Sequence, residues 1–103
     1  MCTERLRRVP ASFSWIDHRL VRRGYLCRAD AKAWGLYLVL VTVGDEHGLS
    51  YYGEESLGRL LSLRPEEIAA ARRQLEAAEV IAYERPFYQV LGLESAGPEG
   101  RFP

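Results

Sequence analysis

This 103-residue chain has few of the side chains that covalent or metal chemistry needs. Its two cysteines, Cys2 and Cys27, form no CxxC pair, and its two histidines, His18 and His47, lie far apart. That spacing offers neither a metal-ligand pattern nor a disulfide framework, and free thiols in a reducing compartment are the expectation. The longest strongly apolar run, Ala33 to Val43, is far too short to span a bilayer. No basic-then-apolar leader opens the chain, so a cytoplasmic protein without membrane association is expected. No Gly-rich phosphate loop is present, and no nucleophile has a base in a recognisable pattern. The paired carboxylates Glu54/Glu55 and Glu66/Glu67 fall where helix first turns favour negative charge. The lone His47, in Asp45-Glu46-His47-Gly48, reads as a loop residue. No enzymatic activity, no cofactor and no small-molecule substrate are expected.

What is present is an ordinary globular composition, 48% hydrophobic and 27% charged, in a chain of one-domain length. The formal net charge is zero but unevenly distributed. Residues 1–32 carry eight basic side chains against three acidic ones, and residues 33–103 carry six against eleven. Such asymmetry marks a polyanion-facing arm, two surfaces that pair between subunits, or simply two solvated faces.

Residues 1–11 are Arg-rich, aperiodic and closed by Pro10, which predicts a flexible basic arm. The folded domain is expected over 12–94, and a Gly/Pro-rich flexible tail over 95–103. Asp17 has the position of a helix N-cap, and Ile16 with Val21 has the spacing of a hydrophobic staple. Gly24 is placed to end that helix in a left-handed conformation. Leu20 and Val21 should turn inward and Arg19, Arg22 and Arg23 outward. The run Leu36 to Val43 has the β-branched content of a strand, but Ala29 to Trp34 is helix-forming, with an acid at its start. The pattern therefore predicts one core helix from about Ala29 to Val43, apolar nearly all round.

Leu49 to Tyr52 is suited to an edge strand. A helix over Ser56–Leu61 should turn Leu57, Leu60 and Leu61 inward, and Ser62-Leu63-Arg64 reads as a tight turn. Pro65 opens a helix to about Glu79 in which Ile68, Ala71, Leu75 and Ala78 share one face. Val80–Tyr83 and Phe87–Leu91 are expected to form a hairpin with Glu84-Arg85-Pro86 at its tip. Helix, turn, helix and hairpin make an α+β winged helix-turn-helix layout of three or four helices.

Three runs carry a family resemblance: Gly48-Leu49-Ser50-Tyr51-Tyr52, Leu60 to Ile68, and Leu75 to Tyr83. Together they resemble the winged helix-turn-helix superfamily, and look closest to small bacterial domains of replication-initiator and mobile-element proteins. The resemblance covers roughly residues 13–93. It implies binding of double-stranded DNA through the helix at Pro65 and the hairpin wing, in transcription regulation or DNA replication. It also implies frequent dimerisation through the first helices. Two positions depart from the pattern: Ser62 stands where many relatives have Gly, and Arg64 where they have a Ser or Thr cap.

On the outer face of the helix at Pro65, only Arg73 and Gln74 suit base edges, while Glu66 and Glu67 oppose a polyanion. The expected DNA-binding set is therefore Arg64, Arg73, Gln74 and Arg85, helped by Arg19, Arg22 and Arg23. Contacts of that kind position a protein on DNA with weak sequence preference. The alternative is a protein–protein or dimerisation adaptor on the same fold, using the alanine-lined outer face of that helix or the aromatics around the sheet.

Overall fold

The computed structural model describes residues 3–93. Cys2 and the predicted tail 95–103 lie outside these. Among the described residues the fold is α+β, with four α-helices and one small antiparallel sheet. A 3₁₀ turn at Thr3–Arg5 is followed by a stretch without regular structure, and every side chain from Glu4 to Ile16 is exposed.

Helix α1 is only Arg19–Arg22, shorter than expected. Asp17 does not cap it from the N-cap position. Its carboxylate accepts from the Arg19 amide at 2.9 Å and also holds the Arg19 guanidinium, with Nη2 at 2.7 Å. Those contacts, led by the guanidinium, keep the Asp17 carboxyl below its usual range. Leu20 is buried as expected, whereas Val21 is 67% exposed, so no staple closes over the helix. Gly24 is left-handed, as its position required, and a second 3₁₀ turn, Tyr25–Arg28, follows.

Helix α2, Ala31–Val43, settles the ambiguous run. Asp30 is its N-cap, accepting from the Ala33 amide at 2.9 Å. The buried residues Ala33, Leu36, Tyr37 and Leu40 recur at helical spacing. That shared core face outweighs the strand preference of Val39, Val41 and Val43. The helix is not buried all round: Leu38 and Thr42 face outward.

After α2, the Asp45 carboxylate accepts from the amides of His47 and Leu49. The chain then enters strand β1, Leu49–Tyr51. Gly48 has φ of 77°, and a Cβ there would lie 2.6 Å from the Val90 carbonyl oxygen, so the strand that returns past it demands glycine.

Helices α3, Glu54–Leu61, and α4, Pro65–Ala77, are joined by the expected three-residue turn. Ser62, within that turn, is left-handed, with φ of 58°. In α3, Leu57 is buried and Leu61 partly so, but Leu60 is 59% exposed. The inward position belongs to Gly58, where a Cβ would meet the Leu63 carbonyl oxygen at 2.6 Å. The turn folds so tightly onto α3 that no side chain fits between them.

Ile68, Ala71, Leu75 and Ala78 are all buried, as the spacing of α4 required. The helix stops at Ala77 rather than Glu79. Glu79 is left-handed, and the amides of Glu79 and Val80 return to the carbonyls of Glu76 and Leu75, a Schellman ending without glycine. Strands β2, Ile81–Glu84, and β3, Phe87–Val90, form the hairpin over a two-residue tip, Arg85-Pro86, with a cis peptide bond. The sheet order is β1-β3-β2, with Tyr83 paired to Tyr88 and Tyr51 to Phe87. No helix of the described residues is long and apolar enough to cross a membrane.

Candidate nucleic-acid interface

Burial of Ile68, Ala71 and Leu75 divides α4 into a core face, two flanks and an outer face. The flank toward α2 is polar and fully occupied. The Glu67 carboxylate takes Lys32 Nζ at 2.6 Å and the Arg64 backbone amide at 2.9 Å. The amide bond first, and the Lys32 ammonium second, pull the Glu67 carboxyl down to about 2. Two turns later the Gln74 amide is engaged at both ends. Its oxygen accepts from the Asp30 backbone N–H at 2.7 Å, and its nitrogen donates to the Asp30 carboxylate at 3.0 Å. Gln74 thus closes the start of α2 and is not available to a base edge.

The opposite flank, toward α3 and the sheet, is equally committed. Arg72 donates to Glu54 at 2.7 Å and lies over the Tyr83 ring, 4.4 Å from its centroid. Burial raises the nearby Tyr88 hydroxyl, and the Arg72 guanidinium partly offsets that shift. These contacts tie the first turn of α3, the middle of α4 and the wing strands together, so that the hairpin keeps a fixed relation to α4.

The outer face of α4 carries Glu66, Ala69, Ala70, Arg73, Glu76 and Ala77. Arg73 is exposed and has no hydrogen bond or ion pair among the described residues. At the helix start, Arg64 Nε lies 3.3 Å from a Glu66 oxygen and 3.5 Å from a Glu67 oxygen. Arg64 has no acceptor to offer its own helix, but half of a capping box survives because Glu67 reaches back to the Arg64 amide. The helix start is therefore less bare than an arginine cap implies. Its repulsion of a polyanion is also smaller than the two glutamates imply. Glu67 is turned aside to Lys32, and Glu66, still outward, is shadowed by Arg64.

Arg85 is exposed at the hairpin tip. Arg22 is exposed on α1, whereas Arg19 is spent on Asp17. Arg23 is exposed on the same turn. Of the residues expected to face DNA, the fold leaves Arg73, Arg64 and Arg85 outward on α4 and the wing, withdraws Gln74 and Arg19, and sets Arg22 and Arg23 on the separate α1 turn.

The residues that sequence reasoning missed are Asp30 and Lys32, the partners that remove Gln74 and Glu67 from the surface. Neither is near α4 in sequence, and no local pattern reports a contact between helices separated by more than 30 residues. Arg28 was missed for the same reason; it donates to the Ala78 carbonyl at 3.3 Å and so caps the C-terminal end of α4. Among the described residues no three His, Cys, Asp or Glu gather into a metal-binding group. The chain matches no known family model, no curated protein sequence and no solved structure.

Proposed function

We propose that the chain is a winged helix-turn-helix module that binds double-stranded DNA, in transcription regulation or in replication or mobile-element maintenance. The observation that carries this reading is the uncommitted Arg73 on the open face of α4, with Arg64 at the head of that helix and Arg85 at the hairpin tip. Supporting it are the tight α3–α4 turn and the β1-β3-β2 sheet order, which sets the hairpin beside the helix. Glu66 and the alanines of the same face supply no base-specific donors, so binding rests on phosphate contacts and is weakly selective.

Titration of a labelled mixed-sequence duplex against salt tests the proposal. Three arginine–phosphate contacts give a log–log slope of about −3, at roughly 0.9 per phosphate. Arg73→Ala, Arg64→Ala and Arg85→Ala each weaken binding and reduce the slope by about one. Absence of binding at low salt, or binding indifferent to all three substitutions, contradicts it.

A second reading, a protein–protein or dimerisation adaptor, is favoured by a separate observation. Among the described residues, seven of the thirteen large exposed apolar side chains lie between Leu6 and Val21 or, as Leu38, on the outer side of α2.

A further inference from the structure

The segment before α1 crosses the outer side of α2 and is held there by the Ser14 hydroxyl, which donates to the Val41 carbonyl at 3.3 Å. Between that segment, α2, the loop after α2 and the chain leaving β3 lies a cleft of about 520 Å³, the size of a small organic ligand. Its floor is apolar, from the buried Leu40 and Leu93. One wall is aromatic, with Phe13 68% and Trp15 74% exposed, and another, Asp45 and Glu46, is acidic.

Two observations set this cleft apart. Tyr37 lines it and is only 6% exposed, its ring held edge-on against Trp34 with centroids 5.1 Å apart. Yet its hydroxyl has no hydrogen-bond partner among the described residues. Buried hydroxyls are rarely left so. Burial first, and the Asp17 charge second, push this hydroxyl up, so it stays protonated and neutral. The other observation is the charge. Asp17 is spent on Arg19, but the remaining carboxylates are not neutralised. Asp45 Oδ1 accepts from the amides of Leu49 and His47, which hold its carboxyl below the usual range and leave Oδ2 open. Glu46 has His47 Nε2 at 3.9 Å, beyond hydrogen-bonding reach.

We infer that this cleft binds an organic cation, an ammonium or guanidinium carried on an apolar body. Its N–H groups donate to the Tyr37 hydroxyl oxygen, its charge faces Asp45 and Glu46, and its body lies against Phe13 and Trp15. The alternatives fit less well. An anion meets two carboxylates without a counter-charge, and an uncharged apolar molecule seals the Tyr37 hydroxyl in without a partner. The aromatic wall adds a preference for positive charge over its ring faces. The site uses none of Arg64, Arg73 or Arg85, so it goes beyond the DNA reading and does not rest on it.

Titration of the isotope-labelled full chain with phenethylammonium chloride, without DNA and followed by amide resonances, tests the inference. One-to-one binding is expected, with shifts around Ser14, Tyr37 and Glu46. The uncharged 2-phenylethanol and the anionic 3-phenylpropionate bind at least about tenfold more weakly, having no charge-assisted hydrogen bond to offer. Tyr37→Phe weakens the cation about fivefold and leaves the unfolding midpoint unchanged, because the hydroxyl it removes bonds to nothing in the folded chain. Trp15→Ala weakens it about fivefold, and Glu46→Gln and Asp45→Asn about threefold each. Phe87→Ala, in the exposed Tyr51–Phe87 stack on the sheet, has no effect. Circular dichroism verifies that each variant is folded; Tyr37→Phe keeps the ring, and Glu46 is fully outside the core. The amides of Nα-acetyl-lysine and Nα-acetyl-arginine distinguish the sources. If either binds more tightly than phenethylammonium, the ligand is a basic side chain of a partner protein; the reverse order assigns a free amine. No shifts with any of these cations at millimolar concentration, equal binding of 3-phenylpropionate, or binding indifferent to both Tyr37→Phe and Glu46→Gln overturns the inference. Because no DNA is present, that failure is distinct from failure to bind a duplex.

Discussion

On α4 most long polar side chains are committed within the molecule: Glu67 to Lys32, Gln74 to Asp30 and Arg72 to Glu54, with Arg73 and Glu76 the exceptions. On the outer side of α2 and the segment crossing it, the side chains left over are apolar: Phe13, Trp15 and Leu38. Two helices of equal length, packed on each other, thus present different chemistry to their surroundings. One outer face is polar and sparse in uncommitted charge; the other is greasy and hollowed. The difference teaches that residue type alone is a poor guide to recognition. What matters is which side chains remain uncommitted once the fold is made.

The largest effect that sharpens this comparison lies across α2 itself. Leu40→Ala removes a fully buried side chain and should cost about 3 kcal/mol in urea unfolding. Leu38→Ala, two residues away on the exposed side, should cost the isolated monomer less than about 0.5 kcal/mol. Equal costs would mean that the outer side of α2 is covered in the folded monomer.

A neighbouring pair on α4 separates structural from recognition roles. Gln74→Ala should lower stability by about 1 kcal/mol, through the lost bonds to Asp30, and leave duplex affinity unchanged. Arg73→Ala should do the reverse, weakening duplex binding with an unaltered unfolding midpoint. The comparison breaks if the two substitutions behave alike.

The smallest effect is one of pH. The folded-state pKa of Glu67 is about 2, below its ordinary 4.5, so its contribution is fully present above pH 4.5 and is lost as pH falls through 2. The stability gap between wild type and Glu67→Gln should be constant near neutrality and close over that acid window. A gap that persists at the acid end would place its origin in packing rather than in the carboxylate's bonds to the Arg64 amide and Lys32.

Much of the fold was legible because its signals are local. Helical spacing placed Ile68, Ala71, Leu75 and Ala78 in the core, and the turn chemistry of Ser62-Leu63-Arg64 placed the α3–α4 corner. The misreadings have a common cause. Leu60 and Val21 look inward-facing by hydrophobicity, but Gly58 is the residue that the Leu63 carbonyl approaches, and α1 is too short to bury both Leu20 and Val21. The interface was less legible, because the commitment of Gln74 and Glu67 depends on α2–α4 packing. Phe13 and Trp15 fall inside the domain expected over 12–94, and nothing local indicates that they remain exposed.

In the proposed function DNA is met by Arg73 on α4, by Arg64 at the head of that helix, which must exchange Glu66 for a phosphate, and by Arg85 at the hairpin tip. The most direct test follows backbone amide resonances of the isotope-labelled full chain as a mixed-sequence duplex is added at low salt. The account predicts shifts concentrated at Arg64, Arg73 and Arg85, with the Phe13–Ile16 segment and Leu38 unmoved. No shifts, or shifts confined to that segment and the outer side of α2, would contradict it.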